Sequence, residues 1–311
     1  MGLELWAVVG VIFAACSVVG NDAVQTLGTF IASNKKISWL KQWVFASVIL
    51  LATISYGWYV NDGDISFGRL SNIPHIEIEW YHALAPAILL TLTRWGIPVS
   101  TTFLVLSAFA DSIVFQKMLT KSALGYAIAA VVAYVVWIIV SRFLNEREKV
   151  NPKHETVWRV GQWATTGFLW YTWLSHDLAN IAVFLPRSLP LEMLICMLVL
   201  LVSILALIFW ERGGKIQQIV IEKTSTEYVR SATIIDGVYA LILLYFKQMN
   251  SIPMSTTWVF VGLLCGRELA ITTTLDKKIK RVWPIVMKDF FKIMLGLAVS
   301  VVIVLCIHGM R

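Results

Sequence analysis

The sequence predicts an all-α polytopic membrane protein made of two inverted-topology repeats, with about ten helical segments that include two proline-broken helical hairpins. Three observations predict it: the composition, the recurrence of apolar runs of spanning length, and two polar motifs that each occur twice at one common spacing. Of the 311 residues, 58% are hydrophobic and only 14% charged, and the mean hydropathy is +0.73. Soluble domains carry about 25% charged residues. A crossing of about 30 Å of hydrocarbon takes roughly 20 residues, and runs near that length recur along the whole chain. A backbone in lipid must satisfy its own polar groups, which makes these runs helices.

The segments are read as 3–33, 43–60, a shorter arm at 82–95, 99–115, 122–141, 161–186, 191–210, 232–249, 254–275 and 286–308. The first opens at Glu4 where a secretory leader would carry lysines, so it is expected to be a true first helix. It holds Gly20-Asn21-Asp22-Ala23-Val24-Gln25-Thr26 in its middle, a carboxylate that membrane burial alone does not favour. The polar stretch with Asn61, Asp62, Gly63, Asp64, Gly68, Asn72 and Pro74 is rich in turn formers and is read as a loop. The arm at 82–95 would rise only ~21 Å as a helix, short of a full crossing. Pro98 breaks it, and the following serine and threonines can cap the next helix.

The connector from Arg142 to Arg159 is the most charged and divides the chain into 1–145, a linker at 146–155, and 156–311. The second half carries Ser175-His176-Asp177-Leu178-Ala179-Asn180 inside another apolar run. Asp22 and Asp177 lie 155 positions apart, as do Pro98-Val99-Ser100-Thr101-Thr102 and Pro253-Met254-Ser255-Thr256-Thr257. One offset for two separate motifs marks an internal duplication. Each copy crosses an odd number of times, so the second is expected to be inverted, as in secondary transporters.

Placing both termini outside gathers Lys35, Lys36, Lys41, Arg142, Arg147, Lys149 and the later basic connectors inside, with Arg69, Lys117, Lys121, Arg187 and Arg311 outside. That asymmetry predicts a multi-pass cell (inner) membrane protein with both termini extracytoplasmic. It also accounts for the net charge of +7, so the lipid bilayer is the expected partner and nucleic acid is not. Cys16, Cys196, Cys265 and Cys306 fall singly in apolar runs and are read as packing residues. The histidines at 75, 82, 154 and 308 make no metal-like cluster. Trp39, Trp43, Trp58, Trp80, Trp158 and Trp163 are read as interfacial belts.

The chemistry follows from the two motifs. A helix beginning at a Ser-Thr-Thr cluster turns free N–H groups and the positive end of its dipole inward, an anion site. Ser100, Thr101, Thr102, Ser255, Thr256 and Thr257 are therefore candidate anion ligands. Hydroxyls bonded back to their own helix are the structural alternative. Asp22 and Asp177 would repel an oxyanion, so they are expected to hold a cation or carry a proton. Asn21, Gln25, His176 and Asn180 complete that cation or proton site, with Asp22 and Asp177 as Na⁺ ligands. His176 is either a proton relay or a neutral imidazole standing in for an amide. Arg94 and Lys247 are read first as helix-end or snorkelling residues, with charge donation to the anion site as the alternative. Asp111 and Asp236 are further intramembrane acids outside the common offset and rank as secondary ion ligands.

Gly20-Asn21-Asp22 with Gln25, and Asp177 with Asn180, resemble the duplicated G-A-N-D-V-A-N-A signature of the inorganic phosphate transporter (PiT) family. The two Pro-x-Ser-Thr-Thr hairpins resemble that family's other repeated motif, and the order matches over almost the full chain. Gln25 replaces an asparagine, Ser175 and His176 stand in the second motif where asparagine is usual before the aspartate, and Phe103 and Trp258 occupy a position that is often histidine. The resemblance implies a divergent member that takes up inorganic phosphate with Na⁺ or H⁺, some bacterial members being associated with sulfate. The expected function is cation-coupled phosphate transport, Na⁺ favoured, by alternating access. A proton-coupled symporter of sulfate or another oxyanion is the alternative, and an anion or pH-gated channel is the alternative of another class. No enzyme activity and no cofactor beyond the transported phosphate and cation is expected, since no histidine is placed to activate Ser100 or Ser255. A homodimer follows only from analogy with symmetric membrane transporters.

Overall fold

The structure, a computed structural model, describes residues 4–94, 99–143, 152–212, 228–274 and 283–310. Over these the chain forms eleven α-helices. They are α1 (Leu5–Ser33), α2 (Trp39–Val60), α3 (Leu84–Arg94), α4 (Thr101–Val105), α5 (Ser112–Phe143), α6 (Pro152–Asp177), α7 (Ala179–Ala182), α8 (Leu191–Trp210), α9 (Val229–Met249), α10 (Thr256–Thr274) and α11 (Trp283–Met310). Short 3-10 turns precede α3 and follow α4.

Five helices are long and apolar enough to cross a membrane: α1, α2, α5, α8 and α9. Their outer faces carry apolar stripes at helical spacing, such as Val131, Val135 and Ile139 on α5, or Ile195, Val199 and Leu207 on α8. The opposite face of α8, with Leu194, Met197, Leu201 and Leu205, is buried. α6 and α10 lack that apolarity because other helices surround them: α6 buries Gln162, Thr166, Thr172 and Ser175, and α10 buries Thr256, Thr257 and Arg267. A helix that faces protein can carry such polar groups where a lipid-facing one cannot.

The second break lies where expected, while the first falls in residues 95–98, outside the described residues. α3 stops at Arg94 and α4 starts at Thr101; Pro98 itself and the side chain of Arg94 lie outside the described residues. α9 stops at Met249 and α10 starts at Thr256, with Pro253 between them. The first hairpin is short, with returning helical turns only from Thr101 to Ala108. The second has arms of 21 and 19 residues.

Two boundaries differ from the sequence reading. Segments expected at 99–115 and 122–141 are instead divided at Ala110–Asp111, and α5 runs unbroken for 32 residues. A helix of that length rises ~48 Å, more than the hydrocarbon is thick, so the polar Gln116, Lys117 and Thr120 belong to its emergent turns rather than to a loop. Asp111 is consequently an exposed cap and not an intramembrane acid: its Oδ1 accepts from Val114 N at 2.7 Å. The linker placed at 146–155 is also shorter, because Pro152 already opens α6, the helix position that proline suits best; residues 144–151 lie outside the described residues.

Elements from the two halves interlock. α5 packs along α10, α2 against α6, and α1 against α8, while α6 pairs with α9 and α1 with α3. The α5–α10 seam is the tightest. A Cβ on Gly262 would collide with the carbonyl of Tyr126, and one on Gly266 with that of Ala130, the small-xxx-small arrangement that lets membrane helices touch backbone to backbone. Trp43 and Trp58, expected at the lipid interface, donate their indole N–H to Val202 O at 3.1 Å and Leu189 O at 2.7 Å and so fasten helices together. Of the four cysteines, Cys265 is buried as expected, whereas Cys196 and Cys306 lie exposed on helix faces.

The stretch after α2 folds down onto the bundle instead of standing off it. Asp64 accepts from Ser66 N and Gly68 N at 2.7 and 2.8 Å, and Gly63 and Gly68 take positive φ values of 95° and 74°. Ile65, Ser66, Arg69 and Leu70 are buried by this turn.

Candidate functional site

α1 brings Asn21, Asp22 and Gln25 to the bundle centre, and the end of α6 with α7 brings His176, Asp177 and Asn180. The two hairpin tips bring the Ser-Thr-Thr clusters. All twelve sequence-predicted site residues are buried, with Asp22, Asp177 and Asn180 at 0% exposure.

Serine does the capping at each tip. Ser100 Oγ accepts from Phe103 N at 3.3 Å, and Ser255 Oγ accepts from Trp258 N at 3.2 Å. These are equivalent positions, 155 apart, and the two rings that follow, Phe103 and Trp258, pack with centroids 5.3 Å apart. The cap hydroxyls keep their own protons available for a ligand.

The threonines serve the carboxylates. Thr101 Oγ1 donates to Asp22 Oδ2 at 2.7 Å, while Asn21 and Gln25 donate to Asp22 Oδ1 at 2.7 and 3.3 Å. Around Asp177, Asn180 Nδ2 donates to Oδ1 at 3.0 Å and Thr102 Oγ1 reaches it at 3.5 Å; Thr256 faces the same carboxylate. Asn180 Nδ2 also donates to Thr101 Oγ1 at 3.1 Å. Asp22, Thr101, Asn180 and Asp177 thus form one hydrogen-bonded chain. The sequence reading kept anion and cation ligands apart; here Thr101 and Thr102 touch both carboxylates.

The two halves are unequal. Both oxygens of Asp22 have donors, but Asp177 Oδ2 and Asn180 Oδ1 are buried without one. Buried acceptors left bare are costly, and acceptor oxygens grouped in this way fit a bound cation or a proton on the carboxylate. The departure at His176 withholds one further donor from Asp177. Asn21 serves Asp22, whereas His176 turns away, its Nε2 lying 2.8 Å from Leu243 O. A carbonyl at that distance takes the Nε2–H, which leaves Nδ1 as a bare acceptor, also without a partner.

Sequence reasoning missed Arg69. It reaches in from the folded connector and is 2% exposed. Its Nε donates to Ser175 O at 2.8 Å, Nη1 to Ile252 O at 3.3 Å, and Nη2 stands 3.4 Å from His176 Nε2. Burial pulls this guanidinium down to about 10, an effect that the charge of Asp177 opposes. Nothing in the sequence of a turn-rich connector marks one arginine as internal. Lys247, read as snorkelling, instead donates to Tyr171 Oη at 2.9 Å and Ser175 Oγ at 3.1 Å.

Asp236 lies apart from this chain. Thr29 and Thr166 each donate to it at 2.6 Å, so it joins α1, α6 and α9 with both oxygens supplied. Among the described residues no group of three histidines, cysteines or acids is arranged to hold a metal ion.

The architecture is that of an all-helical polytopic membrane protein with a buried polar centre between two broken helices. A solved structure titled "The sodium-dependent phosphate transporter" shares this fold, with a TM-score of 0.62 over 98% of each chain and 15% sequence identity. No family model matches the chain, and no curated protein matches it.

Proposed function

We propose that the chain is a secondary active transporter of inorganic phosphate, coupled to a cation with Na⁺ favoured, in which residues 1–145 and 156–311 are inverted repeats that alternate access to the central site. The observation that carries this reading is the Asp22–Thr101–Asn180–Asp177 chain with its bare acceptors at Asp177 Oδ2 and Asn180 Oδ1. The repeats are supported by paired contacts at one offset: Thr101 with Asp22 and Thr256 with Asp177, Gln25 with Asp22 and Asn180 with Asp177. Phosphate and sodium come from the PiT-like motifs and from the fold shared with the structure of that title.

The mechanism follows from the hydroxyls. While the carboxylates are bare, Thr101 spends its proton on Asp22, and Thr102 shares its proton between Asp177 Oδ1 at 3.5 Å and Met254 O at 3.2 Å. A cation on the carboxylate oxygens competes for the same lone pairs and frees those hydroxyls, together with Ser100, Ser255 and Thr257, to donate to an oxyanion. Each ligand then lowers the desolvation cost of the other. Complete burial of the site on both sides supports alternating access over an open channel. A second reading, proton-coupled symport of sulfate or another oxyanion, is favoured by the bare Nδ1 of His176 beside Asp177.

The deciding experiment is radiolabelled phosphate uptake into proteoliposomes under a Na⁺ gradient or a pH gradient applied separately, with unlabelled sulfate as competitor. Na⁺-driven accumulation indifferent to sulfate upholds the first reading. Proton-driven or sulfate-blocked uptake transfers the conclusion to the second, and no accumulation against a gradient defeats both.

A further inference from the structure

Arg69, Lys121 and Lys247 meet beside the second half of the site. Arg69 and Lys121 share an acceptor, Ile252 O, at 3.3 and 2.7 Å. Arg69 and Lys247 share a residue, Ser175, through its carbonyl at 2.8 Å and its hydroxyl at 3.1 Å. The remaining acceptors of Lys121 are Asn250 O and Asn250 Oδ1, at 3.0 and 2.7 Å. Every one of these partners is neutral. Lys247 is the accessible member: half-buried, it stands over the rings of Phe67 and Tyr171 at 4.8 and 4.5 Å.

A neutral amide could make both hydrogen bonds of Lys247 without the cost of burying charge. Three positive charges gathered around one serine and one carbonyl also repel one another. Asp177 offsets part of this repulsion at Arg69; what the charges add beyond that is attraction for an anion. The cluster adjoins His176 on the side of the site covered by the folded connector.

We infer that Arg69, Lys121 and Lys247 form a second, outer binding site for an inorganic oxyanion of the phosphate or sulfate class, which loads the central site from the connector side. The inference rests on the transport reading for its direction but not for its binding chemistry. A purely structural role, in which these cations complete the last carbonyls of α6 and α9, predicts that neutral substitutes change stability and leave anion affinity alone.

The test is equilibrium dialysis of the purified full chain in neutral detergent against radiolabelled inorganic phosphate, with sulfate as a separate arm. At low ionic strength K247Q and R69Q are expected to weaken binding about tenfold, and R69K to stay within about twofold. That loss should shrink as salt screens the cluster. In a Thr101→Val, Thr256→Val background, which strikes the hairpin site, the remaining phosphate binding should still disappear with K247Q. Unchanged affinity in K247Q at low and high salt overturns the inference, and so does a wild type that binds neither anion. K247Q decides alone if R69Q does not fold. Phosphate bound in a K247-dependent way but never carried into proteoliposomes would defeat the transport reading and leave this site standing.

Discussion

Asn180 Nδ2 donates to Thr101 Oγ1 at 3.1 Å, and this bond helps to join the half of the site built on Asp22 to the half built on Asp177. One partner stands on a hairpin tip of the first half and the other follows the broken end of α6 in the second. Removing it should uncouple the carboxylates without dismantling either. Thr101→Val leaves Asp22 Oδ2 and one Asn180 hydrogen unpaired, a cost of about 1–3 kcal/mol. Sodium affinity, read from the Na⁺ dependence of uptake, is expected to fall tenfold or more, with Thr101→Ser close to wild type.

Neutralising either carboxylate removes the charge that a coupling cation neutralises. Asp22→Asn and Asp177→Asn are each expected to abolish cation-dependent phosphate uptake, while size-exclusion profiles in detergent stay those of the wild type. Normal uptake by both variants would refute the proposed mechanism.

The α5–α10 seam makes a stability prediction independent of transport. Gly266→Ala drives a methyl into the Ala130 carbonyl, and overpacking of this kind costs about 1–3 kcal/mol. A clear drop in the detergent melting temperature is expected. Gly161→Ala, whose Cβ would sit 3.6 Å from Thr233 Cγ2, serves as the tolerated control.

Asp111 separates a cap from an ion ligand. Asp111→Ala deletes the bond to Val114 N and should cost about 0.5–2 kcal/mol in thermal unfolding. The sodium and phosphate dependence of uptake should not move, whereas Asp111→Ser should recover most of the stability.

The parts legible in the sequence are those written as residue type at fixed spacing. The repeated Pro-x-Ser-Thr-Thr motif anticipated that Ser100 and Ser255 would cap helices after a break, but not that Thr101 and Thr256 would face Asp22 and Asp177. Arg69 was illegible because its partners are backbone carbonyls of Ser175 and Ile252, which every residue possesses. Asp111 was misread because an apolar window registers an acid without showing that the helix starts beside it. Asp236 was legible as a buried acid, but its threonine donors on α1 and α6 come together only in the folded bundle. Gly262 and Gly266 carried a readable small-xxx-small signal, whose partner helix no spacing rule could name.

That seam also sets an order of events during synthesis. α5 leaves the ribosome long before α10 exists, so its face at Tyr126 and Ala130, where the backbone of α10 will lie, waits in lipid with nothing against it. A product truncated at the charged connector would keep that face bare for good, and the matching half would present Gly262 and Gly266 to nothing. If the halves are the repeats proposed above, neither is a smaller version of the whole: a single copy could close the same seam only with a second molecule.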